Sequence, residues 1–563
     1  MIDNRRVSVA LLSAALITLA SACGPAEPPP DFIVLGRIWT GDSAAPWAQG
    51  VAIRGDRIIA LGDRDTITAL AGSGTVTLDN GANLVTPGLQ DDHTHFFAGG
   101  FQLVSVELRD AATPEEFIRR VGTFAQTLPE GAWILGGNWD HESWTAEGTP
   151  LPRAEWIDSV TGTSPVFVNR LDGHMALANS AAIRLAGVTS STPTPPGGEI
   201  VRDRNGEPTG VFKDAAMDLV ASVIPAPSAE QLDSALAGAM RHAASVGVTA
   251  VSHVSASWEE VAALRRARDQ GRLSVRVSVY TPLAGWREAA ESLRVNGPGD
   301  EWLRVAGVKG FVDGSLGSTT ALFEEPYTDA RRTSGLFVTP EDSLRAWIGA
   351  ADSAGLQVAV HAIGDRANAI LLGIYDSVAR AHGPRDRRFR IEHAQHLRLA
   401  DIEWMARLSV IASMQPYHAI DDGRWAEKRI GRDRIQTTYA FRSLLDAGAE
   451  LAFGSDWPVA PLRPAEGLYA AVTRRTLDDR YPEGWVPAQR LTLEEALQAY
   501  TSGNAHAAFR EGNTGVLRVG ALADLVLFDR DLFQVPSDQI REVVVRATVT
   551  GGVSAHGVPV LAR

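Results

Sequence analysis

"LQDDHTHFF", residues 89–97, follows the apolar pair Leu84 and Val85 and sets two histidines one residue apart at the end of a strand-like run. Side chains alternate between the faces of a strand, so His93 and His95 point the same way. Two neighbouring imidazoles at one strand end make half of a metal site. Further along, seven segments also read as strands: "VTAVSHV", "LSVRVSVY", "LRVAGVKGFVDG", "GLQVAVHAIGD", "RFRIEHAQH", "SVIASMQP" and "ELAFGSD". Helical stretches such as "EEVAALRRARDQG", "PEDSLRAWIGAADSAG" and "LADIEWMARL" lie between most of them. Strands alternating with helices imply a parallel sheet. With "NLVTPGLQDDH" as the first strand, eight such units predict an α/β fold, a closed (β/α)8 TIM barrel.

The other half of the site falls where that fold needs it. Lys309 ends the fourth strand, His361 the fifth, His393 the sixth and Asp456 the eighth. Barrel active sites are built at these C-terminal strand ends. With His93 and His95 the set offers four imidazoles, one carboxylate and one amine, which suits zinc or a similar divalent ion. His396, three residues after His393, competes with it as a ligand, and His253 ends the second strand. Asp91, Asp365 and Glu392 are candidates to orient ligand imidazoles.

The flanks read differently. Residues 32–83 show short strands and turns, as do residues 512–563, and the two are expected to pair as a small β-sandwich subdomain. Residues 84–511 then form the barrel. A structured, cap-like insertion of about 96–247 follows the first strand and carries "GAWILGGNWDHESW" and "SPVFVNRLDGHMALANS". Its Trp139, His141, Trp144 and His174 are the candidate substrate contacts, the aromatics suiting an apolar substrate portion.

The net charge of −14 over 563 residues argues against a nucleic-acid partner or an anionic-membrane binding face. The expected partner is a small-molecule substrate, and a homo-oligomer is left open. Residues 1–22 have the basic start and short apolar stretch of an export signal. Cys23 is the sole cysteine, so no disulfide forms within the chain. Its place after "ASA" resembles a bacterial lipobox, although Ala20 stands where a large aliphatic residue is usual. Residues 23–31 read as a Pro-rich tether. The resulting expectation is an exported lipoprotein, periplasmic or at the cell surface, held to the membrane through Cys23.

The motifs "VTPGLQDDHTH", "GNWDHESW", "LDGHMALANSAAI", "VKGFVDGSLGSTTA", "HAIGDRAN", "RIEHAQ" and "FGSDWPV" appear in this order across nearly the whole mature chain. The sequence resembles the amidohydrolase superfamily, and most closely its family 3 branch of N-substituted-formamide-deformylase-like hydrolases. That resemblance implies His93, His95 and Asp456 on one metal and His361 and His393 on a second. Lys309 would be the residue that CO2 converts to N6-carboxylysine, bridging both ions; without that modification the site holds one. Asp456 would shuttle a proton and His174 polarise the carbonyl. The implied activity is hydrolysis of a non-peptide C–N bond, in an amide or N-substituted formamide, by metal-activated hydroxide. A lactonase or esterase uses the same chemistry and stays open. Deamination fits less well: many deaminases of this superfamily carry a glutamate where Gly364 stands. A surface-tethered binding lipoprotein without catalysis is the alternative of another class, and the intact ligand set argues against it.

Overall fold

The computed structural model describes residues 28–144 and 151–557. Cys23 and the apolar leader lie outside the described residues. Among the described residues no helix is long and apolar enough to cross a membrane.

Eight strands form one sheet in sequence order: β1 (Leu89–Thr94), β2 (Val248–Val254), β3 (Arg276–Pro282), β4 (Leu303–Phe311), β5 (Gln357–Ala362), β6 (Arg390–His393), β7 (Ile411–Met414) and β8 (Leu451–Phe453). All neighbouring pairs are parallel. The ring closes just past β8. There Asp456 donates its backbone N–H to the His93 carbonyl at 2.7 Å, and His95 donates its own to the Trp457 carbonyl at 2.8 Å. The result is the α/β barrel that the alternation predicts. Strands covered on both sides must be apolar almost throughout, and all seven residues of β2 are buried. Helices outside the ring start at caps legible in the sequence. Ser257 with Glu260 opens Trp258–Asp269, and Ser228 with Gln231 opens Ala229–Ser245.

The first strand starts later than expected. Leu84 and Val85 belong to Val76–Pro87, which pairs with Phe32–Trp39 on one side and Leu525–Phe528 on the other. The chain then passes into the barrel at Gly88, where a Cβ would sit 2.2 Å from Thr249 Oγ1 of β2. Only glycine allows that approach. Strands from both flanks of the barrel pair in a single hydrogen-bonded sheet of seven strands, where a β-sandwich was expected. Arg276 of β3 ties this sheet to the barrel by donating twice to Asp524, at 2.7 and 2.8 Å.

The stretch expected to cap the barrel gives its two ends to the barrel wall. Phe96, Phe97, Leu232 and Leu236 pack with Val248, Val251 and Val277 in one core. Leu232 and Leu236 are spaced to face one side of a helix, and that side is the barrel. Between them lies a separate six-stranded sheet running from Val106–Glu107 to Pro208–Asp214.

Candidate metal centre

The barrel brings its strand-end residues together. Ligand atoms of His93, His393 and Asp456 all lie within 4.8 Å of one another, and all three residues are buried. His95, at the start of helix Phe96–Gln102, places Nε2 3.4 Å from Asp456 Oδ1; His93 Nε2 is 3.5 Å from the same oxygen. Lys309 Nζ is 3.3 Å from His93 Nε2. The His361 ring lies 4.6 Å from that of His393, centre to centre. His393 and Asp456 hold left-handed backbone, φ 76° and 61°, a costly conformation for non-glycine residues that clusters at functional sites.

Hydrogen bonds fix which nitrogen of each ring is free. His93 Nδ1 makes a short bond to Glu392 Oε2. A carboxylate accepts only, so Nδ1 carries the proton and the Nε2 lone pair turns inward. His393 Nδ1 donates to Gln415 Oε1 at 2.7 Å, again freeing Nε2. His361 is reversed: Nε2 donates to the Gly314 carbonyl at 3.0 Å, leaving Nδ1. Burial first, and then Lys309, pulls the His93 pKa down to about 4. Burial holds His361 and His393 well below the usual imidazole value. All three are therefore neutral lone-pair donors. Burial also lowers Lys309 to about 8, against Glu392 and Asp456. Burial works against the Asp456 carboxylate, but the histidines around it outweigh burial and keep it ionised.

This donor set fits a divalent cation. The His93 Nε2 lone pair faces an anionic Asp456 Oδ1 that is buried and has no hydrogen-bond partner among the described residues. Lys309 Nζ, 3.3 Å from that Nε2, already sets charge against the pair, and a divalent ion among these donors would add to it. Nitrogen and carboxylate donors on three strand ends suit a divalent metal.

Behind the cluster stands a network not anticipated from the sequence. Arg390, fully buried, donates to Glu392 Oε1 at 2.7 Å, to the Asp92 carbonyl at 2.7 Å and to the Tyr280 hydroxyl at 2.9 Å. Glu392 does orient an imidazole, as expected. Asp91 instead accepts from the backbone N–H groups of His93 and Ser455, and Asp365 accepts from the Glu324 N–H. Gln415 and Asp214 take positioning roles, Asp214 accepting from His174 Nδ1 at 2.6 Å, while Asp313 accepts from the backbone N–H groups of Leu322, Ile363 and Gly364. We expect Gln415→Leu to weaken metal binding about 10- to 100-fold, the usual effect of removing such a partner. Competition against a fluorescent chelator measures it.

Other candidates stand elsewhere. His396 bonds Thr438 and packs on Phe323; His253 accepts from the Phe96 N–H. Trp139 and Trp144 lie in the cap core with Phe117, and the Trp139 indole donates to the Val168 carbonyl at 2.9 Å. Neither lines the cavity over the histidines, and His141 reaches it only through Arg170, from whose Nε it accepts. Large rings in a region with its own small sheet are consumed by that region's core. Trp139→Ala should cost about 3–5 kcal/mol of stability and leave metal content unchanged. Chemical denaturation with elemental analysis checks both.

A cavity opens between the strand ends and residues 170–174 of the insertion. His361, His393 and Asp456 form its floor, and His174 joins from the cap, its ring 4.9 Å from that of His361. Burial opposes a proton on His174, but the bond and charge of Asp214 outweigh it and raise the pKa. His418 and Trp425, from the segment after β7, close the far side.

Comparison with known proteins agrees with this fold. The chain is 40% identical to the Arabidopsis thaliana protein LONG AFTER FAR-RED 3 over 548 residues, 95% of this chain and 93% of that one. It is 28% identical to the N-substituted formamide deformylase of Arthrobacter pascens, over 93% and 97% of the two chains. Among solved structures it resembles an uncharacterised metal-dependent hydrolase of Pyrococcus horikoshii at TM-score 0.73 and 29% identity, covering 90% of this chain and 99% of that one. The model of the amidohydrolase family matches residues 77–556, and the chain belongs to that family of metal-dependent hydrolases.

Proposed function

We propose that this protein hydrolyses a non-peptide C–N bond, in an amide or N-substituted formamide. One observation carries the reading: residues from five strand ends cluster, with His361, His393 and Asp456 on the cavity floor, His93 and His95 within 3.5 Å of Asp456, and Lys309 3.3 Å from His93. The full-length similarity to a formamide deformylase supports the substrate class.

His93, His95 and Asp456 would hold one divalent ion, zinc by its donor types, and His361 and His393 a second. Lys309 has a readily accessible neutral amine, which CO2 can convert to a carbamate whose oxygens replace the ammonium. A bound ion supplies Lewis-acid polarisation of the carbonyl and acidifies water. The chain's own residues do the rest. Asp456 takes the proton of the attacking water and returns it to the leaving nitrogen as the C–N bond breaks. His174, held by Asp214, points its other nitrogen into the cavity to meet the developing oxyanion. Glu392 and Gln415 keep their imidazoles from turning.

Zinc-reconstituted protein lacking residues 1–23 should release amine from a panel of N-formyl and N-acyl amines. The expected kcat/KM exceeds that for matched esters and lactones at least tenfold; the reverse order overturns the C–N assignment. The lipoprotein reading of residues 1–23 rests on sequence, and mass spectrometry of the mature N-terminus tests it.

A further inference from the structure

The cavity lining has an acidic side that reaches the histidines, His418 stacking on His393 at 6.4 Å between ring centres. Three carboxylates line it, Asp172, Asp421 and Asp422, against one guanidinium, Arg170. That guanidinium is already neutralised: Asp140 accepts from it at 2.9 Å and Asp172 at 2.7 Å. Behind the lining, Arg424 pairs with Asp421 and, at 3.3 Å, with Asp140. Arg109 is engaged by the carbonyls of Pro458 and Val459. Among these groups, four carboxylates meet three guanidiniums. Asp422 accepts from the Tyr439 hydroxyl at 2.6 Å, a neutral partner that supplies no counter-charge. Burial pushes its pKa up to about 7, against the more distant Arg170 and Arg424.

Two further atoms on this side are unsatisfied among the described residues. His418 is buried, lines the cavity, and has an Nε2 with no hydrogen-bond partner. The Trp425 indole N–H has none either. A buried polar atom without a partner is costly, and both residues line the cavity. Burial keeps His418 neutral, so it does not offset the carboxylates. Carboxylates in a confined space are the chemistry that recognises an ammonium group; the Trp425 ring already has the Arg170 and Arg429 guanidiniums 6.0 and 5.9 Å from its centre, so its N–H, not its face, is what it offers a ligand.

We propose that Asp421, Asp422, His418 and Trp425 form a subsite for a protonated amine, and that the substrate is an N-acyl compound carrying a second, cationic nitrogen. The amide then lies over the histidine cluster and the ammonium lies against the two aspartates. The word substrate rests on the hydrolase reading above; the subsite does not.

Calorimetric titration of the metal-loaded protein tests it. The probes are N-acetyl-α,ω-diaminoalkanes with two to six methylenes, the neutral N-acetyl-alkylamines of equal length, and the matching ω-acetamido carboxylates. We expect the best ammonium probe to bind at least tenfold tighter than its neutral partner, and the carboxylate weakest. Asp422→Asn should shrink the preference about fivefold or more, with the neutral probe unaffected. Equal binding of all three, tighter binding of the carboxylate, or no binding of any ammonium probe at millimolar concentration would overturn the subsite. Because binding is the readout, failure of the hydrolase reading looks different: selective ammonium binding with no probe cleaved.

Discussion

Replacing Arg390 with methionine should cost about 3–5 kcal/mol of folding stability, the largest loss expected from any single side chain near the site. The guanidinium is wholly enclosed inside the barrel. It neutralises Asp92, 3.0 Å away, and Glu392, 2.7 Å away. Methionine fills much of the volume but leaves two carboxylates facing each other in a dry interior. Burial already drives the Asp92 pKa up to about 7 even with Arg390 present, so the variant must take up a proton or open. Urea denaturation reads the loss directly. Arg294, an exposed residue paired with Glu291, serves as the control, and its methionine variant should keep the parental midpoint. If Arg390→Met matched that control, the buried network would be ornamental and Glu392 would need another anchor.

Asp456→Asn should lower kcat for the amide found in the screen by about a thousandfold, within the range expected for loss of a general acid–base group. The change keeps the shape and the left-handed backbone that asparagine tolerates. It removes the charge that faces His93, His95 and His393, and with it a buried carboxylate oxygen that has no hydrogen-bond partner among the described residues. Melting temperature separates this from unfolding. Residual activity within tenfold of the parent would mean that another group moves the proton.

Much of the barrel and its strand-end cluster is legible in the amino-acid sequence. Period and spacing predict eight strands, because doubly covered parallel strands must be apolar and their polar ends then stand out. His93, Lys309, His361, His393 and Asp456 are visible for that reason. Gln415 escapes notice although it directly follows β7, because a glutamine at a strand end carries no charge or metal signal. Arg390 and Glu392 alternate within "RFRIEH", and two opposite charges pointing into a barrel are the available clue to the buried network. Trp139 and Trp144 mislead for the opposite reason. An aromatic in an insertion reads the same whether it meets substrate or fills a core, and only the six-stranded cap sheet decides. Asp421, Asp422 and His418 have no place in a reading by period and motif, since the cavity they share with cap residues exists only once the insertion has folded over the barrel.

The central claim is the metal. Elemental analysis of purified protein lacking residues 1–23, beside a His93→Ala, His393→Ala double variant, tests it most directly. The geometry predicts at least one divalent ion per chain that survives gel filtration, and its loss in the variant while the fold is retained. A folded parent that stays metal-free after reconstitution with zinc would contradict it.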